Sequence, residues 1–161
     1  MPTPNPWDYA NKSGAEHAHQ AALFMWANMA QRFGYEIAND KRSYTVPGWA
    51  TFCQNPQPIP QLKWLHAIHN QGHGDVIRGS KAKAEGVKAG VFDMFLPVSM
   101  THNDVTYHGL YIELKVGKNI ASNDQLQFKA DMDEAGYATV IVWGWEEARN
   151  CLLNYLGWTH S

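Results

Sequence analysis

An acid-x-lysine triplet, Glu113-Leu114-Lys115, is the pattern in this chain best suited to chemistry. Residues two apart on a strand point the same way at about 6.5–7 Å, so a carboxylate and an ammonium group would lie side by side. The carboxylate can bind a hard divalent cation, and the amine can orient a water or neutralise charge on a phosphate. The alternative is a cross-strand salt bridge. One such triplet is expected by chance, so the prediction depends on its position.

Asp93 is the second candidate, because it interrupts the apolar run 91–96. An unpaired carboxylate among apolar side chains is costly, so a lysine or arginine, a helix N-terminus or a metal ion must compensate it. If the runs 91–96 and 110–115 pair as strands, Asp93 and Glu113 converge. Two carboxylates repel each other unless a divalent cation lies between them. A structural ion pair and a ligand role both stay open.

The elements that must position these residues follow from hydrophobic periodicity and from glycine and proline punctuation. The segment 1–14 is predicted to be an irregular arm, and the proline-rich segment 40–61 a long ordered loop or lid. We predict helices over 15–33, 80–85, 122–135 and 146–156, strands over 65–69, 91–96, 110–115 and 138–143, and a hairpin connection over 101–109. This order predicts an α/β protein with a central mixed sheet and helices packed on it.

Length and composition limit the classes of protein. With 161 residues, 45% of them hydrophobic, the chain can form one compact domain over residues 1–161 and is too apolar to be disordered throughout. Its apolar runs are too short to cross a bilayer, and the first residues lack a signal-peptide pattern. Two cysteines cannot form a disulfide framework. We therefore expect a soluble, cytoplasmic protein without a membrane partner.

Charge is unevenly distributed along the chain. The net charge of −2 argues against a histone-like nucleic-acid binder, yet residues 41–118 carry nine basic and five acidic side chains. Residues 119–161 carry two basic and six acidic side chains. A basic middle of the chain is compatible with binding to phosphates, although charge alone favours an uneven, solvated surface.

Taken in order, these residues resemble the core of the PD-(D/E)XK nucleases, and more narrowly their VRR-NUC branch, the virus-type replication–repair nucleases. The resemblance covers most of residues 15–156. It is carried by Gly90-Val91-Phe92-Asp93, by the run 109–115, by Ser122-x-x-Gln125 before a glycine-terminated helix, by Glu16-x-x-x-Gln20 and by the run 67–72. Phe92 stands where the superfamily name has a proline. The segment 40–61 is longer than the usual link of the family.

The resemblance implies a restriction-endonuclease-like fold with a Mg²⁺ or Mn²⁺ cofactor. Asp93, Glu113, the backbone carbonyl of Leu114 and Glu16 would bind the metal. Lys115 would be the catalytic lysine, and Gln125 would support the site. Glu16 also suits ordinary helix-dipole stabilisation. Ser122-x-x-Gln125 also matches a helix capping box, and one side chain can serve both purposes.

The implied activity is that of a metal-dependent DNA endonuclease. The resemblance further implies a homodimer that acts on branched DNA such as four-way junctions. The residues expected to contact DNA are Asn70, His73, Arg78, Lys81, Lys83, Lys88 and Lys118. The alternatives are a non-catalytic nucleic-acid-binding module with a nuclease fold and a sugar- or nucleotide-processing enzyme on a similar sheet.

Overall fold

A computed structural model describes residues 4–69, 81 and 83–158. The α-helices described there are α1 (Pro6–Ser13), α2 (Glu16–Phe33), α3 (Tyr35–Ala38), α4 (Arg42–Thr45), α5 (Asn123–Glu134) and α6 (Trp145–Tyr155), with 3₁₀ turns at Trp49–Phe52 and Pro60–Trp64. The strands are β1 (His66–Ala67), β2 (Met94–Leu96), β3 (Met100–His102), β4 (Val105–Tyr107), β5 (Leu110–Lys115) and β6 (Ala138–Trp143). None of the described helices has the length and apolar character needed to cross a bilayer.

Four strands form the main sheet in the order β1-β2-β5-β6. Strand β2 is antiparallel to both β1 and β5, and Met94 lies opposite Ile112. The amide of Ala138 donates to the carbonyl of Gly109, and that of Gly144 donates to the carbonyl of Lys115, both at 2.9 Å. These two bonds follow the same order on both strands, so β5 and β6 run parallel. The predicted mixed sheet with flanking helices is confirmed.

The chain divides into two compact units that alternate along the sequence. One contains Met1–Leu65, Leu114–Lys118 and Val142–Ser161, and the other contains His66–Glu113 and Asn119–Ile141. Because both units gather segments that are distant in sequence, the division is not one between two consecutive domains. The single nuclease domain over 1–161 stays a prediction.

The first unit has its core around helix α2. Leu23 and Trp26 are completely buried, and the indole nitrogen of Trp26 donates to the side-chain oxygen of Asn39 at 2.9 Å. The second unit has its core around β2 and β5, where Phe92 and Ile112 are completely buried.

The prediction of an irregular arm over 1–14 is wrong for most of its described residues, because Pro6–Ser13 is helical. The side chain of Asn5 accepts a hydrogen bond from the amide of Asp8 and caps the helix. Pro6 occupies the first turn, where the missing N–H of proline costs nothing. The prolines and asparagines that indicated irregular chain are therefore start signals of a short helix.

The segment 40–61 also contains more regular structure than a loop. It includes α4, the 3₁₀ turn Trp49–Phe52 and the start of the turn Pro60–Trp64. The side chain of Asp40 accepts from the amide of Arg42 at 2.9 Å and so begins a helical turn. The loop prediction is correct only for the stretches between these turns, since turns of four or five residues leave little periodicity in a sequence.

Several other predicted elements differ in extent from the structure, including the strand predicted over 65–69, of which only His66–Ala67 forms β1. Strand β2 starts only at Met94, and the segment 101–109 contributes to a separate two-stranded sheet of β3 and β4. Asn103 and Asp104 have φ angles of 49° and 64°, which a two-residue hairpin turn requires and which these residue types tolerate. Within the predicted helix 80–85, Lys81, Lys83 and Ala84 are helical.

Candidate active site

Glu113 is an almost completely buried carboxylate in the middle of the sheet, with only 2% of its surface exposed. One oxygen, Oε2, accepts a hydrogen bond from the backbone amide of Asp93 at 3.2 Å. The other oxygen, Oε1, accepts from the side-chain amide of Gln125 at 2.5 Å. A carboxylate so deeply buried requires partners of this kind, because burial without them would be strongly unfavourable. Both oxygens are thus held in fixed directions.

Asp93 lies directly before β2 and, by the register of that strand, opposite Glu113. Its amide donates to Glu113, and its carbonyl accepts from the amide of Ile68 at 2.7 Å. The backbone of Asp93 is therefore hydrogen-bonded on both sides, to Glu113 of β5 and to Ile68, which follows β1. The side chain of Asp93 is half-buried. The strand pairing expected from the sequence brings these two acids together.

Gln125 connects the site to the start of helix α5. Its Oε1 accepts from the amide of Ser122 at 2.9 Å, and its amide donates to the hydroxyl of Ser122 at 3.2 Å. These two bonds form a complete capping box. The amino group of the same side chain donates to Glu113. The two functions that the sequence left open for Gln125 therefore occur together.

Lys115 follows Glu113 by two residues on β5, so the two side chains leave the same face of the strand. It is 8% exposed, which is unusual for a lysine, and its carbonyl accepts from the amide of Gly144 at 2.9 Å. Leu114, on the opposite face, is completely buried and anchors the strand. Strand β5 thus carries a buried acid and a buried lysine two residues apart.

An aromatic layer continues the face of the sheet that carries the two acids. The rings of Phe95 and Tyr111 are stacked at 4.3 Å, and Phe128 of α5 meets Tyr111 edge-on at 5.1 Å. Burial, and secondarily the nearby Tyr137, raise the pKa of Tyr111. Sequence reasoning missed this layer. The signal was present, because Phe95 and Tyr111 are each two residues from an acid and so share its face.

Comparison with known proteins decides the fold. No family model matches the chain, and no curated protein matches it significantly. A solved structure described as a VRR_NUC domain protein is similar to it with a TM-score of 0.59 and 20% sequence identity, over 88% of each chain. The chain shares the fold of this VRR_NUC domain protein. The fold expected from the order of Asp93, Glu113, Lys115 and Gln125 is confirmed.

Glu16 is the first residue of α2 and is half-buried. An acid in the first turn of a helix interacts favourably with the helix dipole, so this position has a sufficient structural reason. The ligand function that the VRR-NUC resemblance implies for Glu16, and for the carbonyl of Leu114, stays a prediction.

The residues expected to contact DNA fall into two groups. Asn70, His73 and Arg78 lie outside the described residues. The remaining four are all exposed and therefore accessible to a phosphate backbone; they are Lys81, Lys83, Lys88 and Lys118.

The donor set around Glu113 fits a hard divalent cation. Within residues 4–69, 81 and 83–158, no three His, Cys, Asp or Glu side chains form a group that could hold a metal ion. The register of β2 against β5 places Asp93 opposite Glu113, and carboxylate oxygens are the ligands that Mg²⁺ prefers. Since Mg²⁺ retains several waters, one or two protein carboxylates are sufficient.

Proposed function

We propose that this chain is a metal-dependent nuclease that hydrolyses phosphodiester bonds of DNA. The observation that carries the proposal is the buried Glu113 carboxylate, held by Asp93 and Gln125 on the strand that also bears Lys115. The likeness to a VRR_NUC domain protein supports the same chemistry. Burying an acid and a lysine on one strand is costly for stability, and it has a purpose if the site binds a cation and a phosphate.

Asp93 and Glu113 would hold Mg²⁺ or Mn²⁺, with the Leu114 carbonyl and Glu16 as further ligands. When bound, such an ion neutralises charge on the phosphate and lowers the pKa of a coordinated water. Gln125 fixes the direction of Glu113 Oε1 through its hydrogen bond. The amide of Asp93 does the same for Oε2.

Lys115 would act on the reacting groups themselves. Hydrolysis forms a bond from a water oxygen to phosphorus and breaks the bond to the leaving oxygen that lies in line with it. The attacking water gives up a proton to solvent, and the leaving oxygen takes one up. The ammonium group of Lys115 orients this water or stabilises the negative charge that grows on the phosphate oxygens. Its burial strengthens either interaction, because few waters remain to screen it.

The preferred substrate that we propose is branched DNA such as a four-way junction, cleaved by a homodimer. The exposed lysines Lys81, Lys83, Lys88 and Lys118 suit contacts with a DNA backbone. Such contacts read charge and shape rather than base sequence, which is compatible with a structure-specific nuclease.

The deciding experiment offers labelled junction, flap, single-stranded and linear duplex DNA, each with Mg²⁺, Mn²⁺ or EDTA. The proposal expects nicking with either metal and none in EDTA or in the Glu113→Gln variant. Metal binding measured by calorimetry without DNA should weaken in the same variant. A purified, folded protein that shows no metal-stimulated nicking of any of the four DNAs contradicts the proposal.

The alternative function is a non-catalytic module that binds nucleic acid with a nuclease fold. Binding of branched DNA without nicking in either metal would establish it. The presence of Asp93, Glu113, Lys115 and Gln125 together favours the enzyme, since a binding module does not need a buried acid beside a buried lysine. An enzyme of sugars or nucleotides would instead turn over small substrates and ignore DNA.

A further inference from the structure

The segment 41–64, which the proposed active site does not use, has an unusual composition. It contains Lys41, Arg42 and Lys63 but no Asp or Glu, and it lies in the longest acid-free stretch of the chain, residues 41–74. The chain as a whole is slightly acidic, with a net charge of −2. Lys41 and Arg42 each form an ion pair with an aspartate outside the segment, so the exposed Lys63 is the cation that this segment offers to a phosphate.

Two large aromatic side chains of this segment point to solvent. Phe52 is 71% exposed and Trp64 is 60% exposed. Aromatic rings supply large contact areas and are enriched at interfaces, so both rings are available to a ligand. The ammonium group of Lys63 lies 5.0 Å from the centre of the Trp64 ring, so a cation accompanies this aromatic surface.

The turn that carries Trp64 is anchored to the rest of its unit by buried side chains and a backbone hydrogen bond. Ile59 and Leu62 are buried at the start and in the middle of the turn that carries Trp64, and the amide of Ile59 donates to the carbonyl of Ala30 at 3.0 Å. Trp64 is thus presented by a fixed turn, so a ligand would not have to order the segment on binding.

Phe52 is held by a second set of contacts. Trp49 meets Phe52 edge-on at 6.2 Å, and the guanidinium group of Arg42 lies over the Trp49 ring at 4.2 Å. The carboxylate of Asp40 pairs with Arg42 at 2.6 Å and fixes the guanidinium group. Ring and cation contacts thus connect Phe52 through Trp49 and Arg42 to Asp40.

We propose that the segment 41–64 binds unpaired DNA, with Phe52 and Trp64 as base-stacking surfaces and Lys63 as a phosphate contact. Proteins that bind single-stranded nucleic acids combine aromatic rings with cations, because each base can stack on a ring and each phosphodiester carries a negative charge. The inference rests on the proposed function for its choice of DNA as partner. It adds a preference for substrates that contain a single-stranded region.

The test measures binding of a fluorescent oligothymidine by anisotropy in EDTA, so that no cleavage is needed. Trp64→Ala and Phe52→Ala should each weaken binding about tenfold through the lost stacking, whereas Trp64→Phe should retain most of it. Lys63→Gln should reduce the slope of log affinity against log salt by about 0.7. Binding of a blunt duplex should be the same for all four variants and the wild type.

Two matched controls separate stacking from general surface effects. Ile120→Ala removes an apolar side chain that is 79% exposed outside the segment, and Lys12→Gln removes an exposed lysine of α1; both should bind as the wild type does. Thermal melting checks that each variant is folded. An alanine variant that binds as tightly as the wild type overturns the assignment for that ring, and a wild type that does not bind the oligonucleotide overturns the whole proposal.

Nicking of branched DNA with Mg²⁺ is measured on the same preparations. Nicking without oligonucleotide binding would contradict the stacking surface and leave the nuclease intact. Oligonucleotide binding without nicking would contradict the nuclease and leave the stacking surface intact.

Discussion

The side-chain amide of Gln125 donates to the buried carboxylate of Glu113 at 2.5 Å while its oxygen accepts from the amide of Ser122 at 2.9 Å. The cap therefore determines which end of the amide faces Glu113. Because the oxygen is held by the backbone, the amino group must point to the carboxylate. A helix start thereby orients an acid that lies 12 residues away on β5.

Replacing Gln125 by Glu should separate the two functions of this side chain. Glutamate at this position preserves the capping box, but the buried Glu113 loses a hydrogen-bond donor and meets a second negative charge, which should cost about 1–3 kcal/mol of stability. The same change should reduce cleavage by about 10- to 100-fold. Ser122→Ala removes the cap and leaves the donor to Glu113 in place, so it should lose about 1 kcal/mol in stability with a smaller effect on cleavage. Wild-type cleavage by the Gln125→Glu variant would contradict this interpretation.

Lys115→Ala should abolish cleavage while DNA binding in EDTA stays close to wild type. The reason is that a buried amine beside Glu113 contributes to the reaction and not to the exposed surface that contacts the backbone. Lys118→Ala removes an exposed lysine, so this change should instead weaken DNA binding and make the affinity less dependent on salt. Lys12→Ala, on α1, serves as the neutral control. Cleavage kinetics and binding isotherms on one labelled junction make the comparison, and undiminished cleavage by Lys115→Ala would refute the assigned mechanism.

Gly90→Ala should disturb both stability and cleavage. Gly90 has a φ of 84°, and an added Cβ would lie 2.5 Å from the backbone carbonyl of Asp124, the residue before Gln125. Gly86 has a φ of 97°, and among the described residues no atom lies within 4 Å of an added Cβ, so Gly86→Ala adds only backbone strain of about 1–2 kcal/mol. Gly90→Ala should lose a further 1–3 kcal/mol or so, because the start of α5 must move. Denaturant unfolding of both variants tests this, and equal losses would show that the close approach is unimportant.

His19 should make stability depend on pH. Its Nδ1 accepts from the amide of Trp145 at 3.1 Å, which requires an unprotonated nitrogen. Burial lowers the pKa of His19, and Glu146 opposes this effect. The folded state therefore takes up the proton less readily than the unfolded chain does. The stabilisation is complete above about pH 6.5 and is lost as the pH falls through the lower pKa of the folded state.

Thermal melting between pH 5 and 8 measures this dependence. In His19→Gln the decline at acid pH should become shallower, because glutamine can accept the same hydrogen bond without titrating. His17→Gln, an exposed histidine on the same helix, is the control and should keep the decline. Identical pH profiles for His19→Gln and the wild type would contradict the role of His19.

The candidate site was largely predictable because its parts have local sequence signals. Alternation along 110–115 placed Glu113 and Lys115 on one face, and Ser122-x-x-Gln125 indicated a capping box. Helix α1 was missed because its start depends on a cap by Asn5, and the same residue types also occur in irregular segments.

By itself, the sequence determined the helices and strands around the site and the faces on which their polar residues lie. The spacing of apolar residues and the capping residues that specify these features act over only a few positions. Only the tertiary structure decided that Gln125 reaches Glu113, that Asp93 donates its backbone amide to the same carboxylate, and that an aromatic layer of Phe95 and Tyr111 continues their face. These contacts depend on the register of β2 against β5 and on the packing of α5 over the sheet. Register and packing are set by many weak interactions between distant segments, which no local pattern specifies.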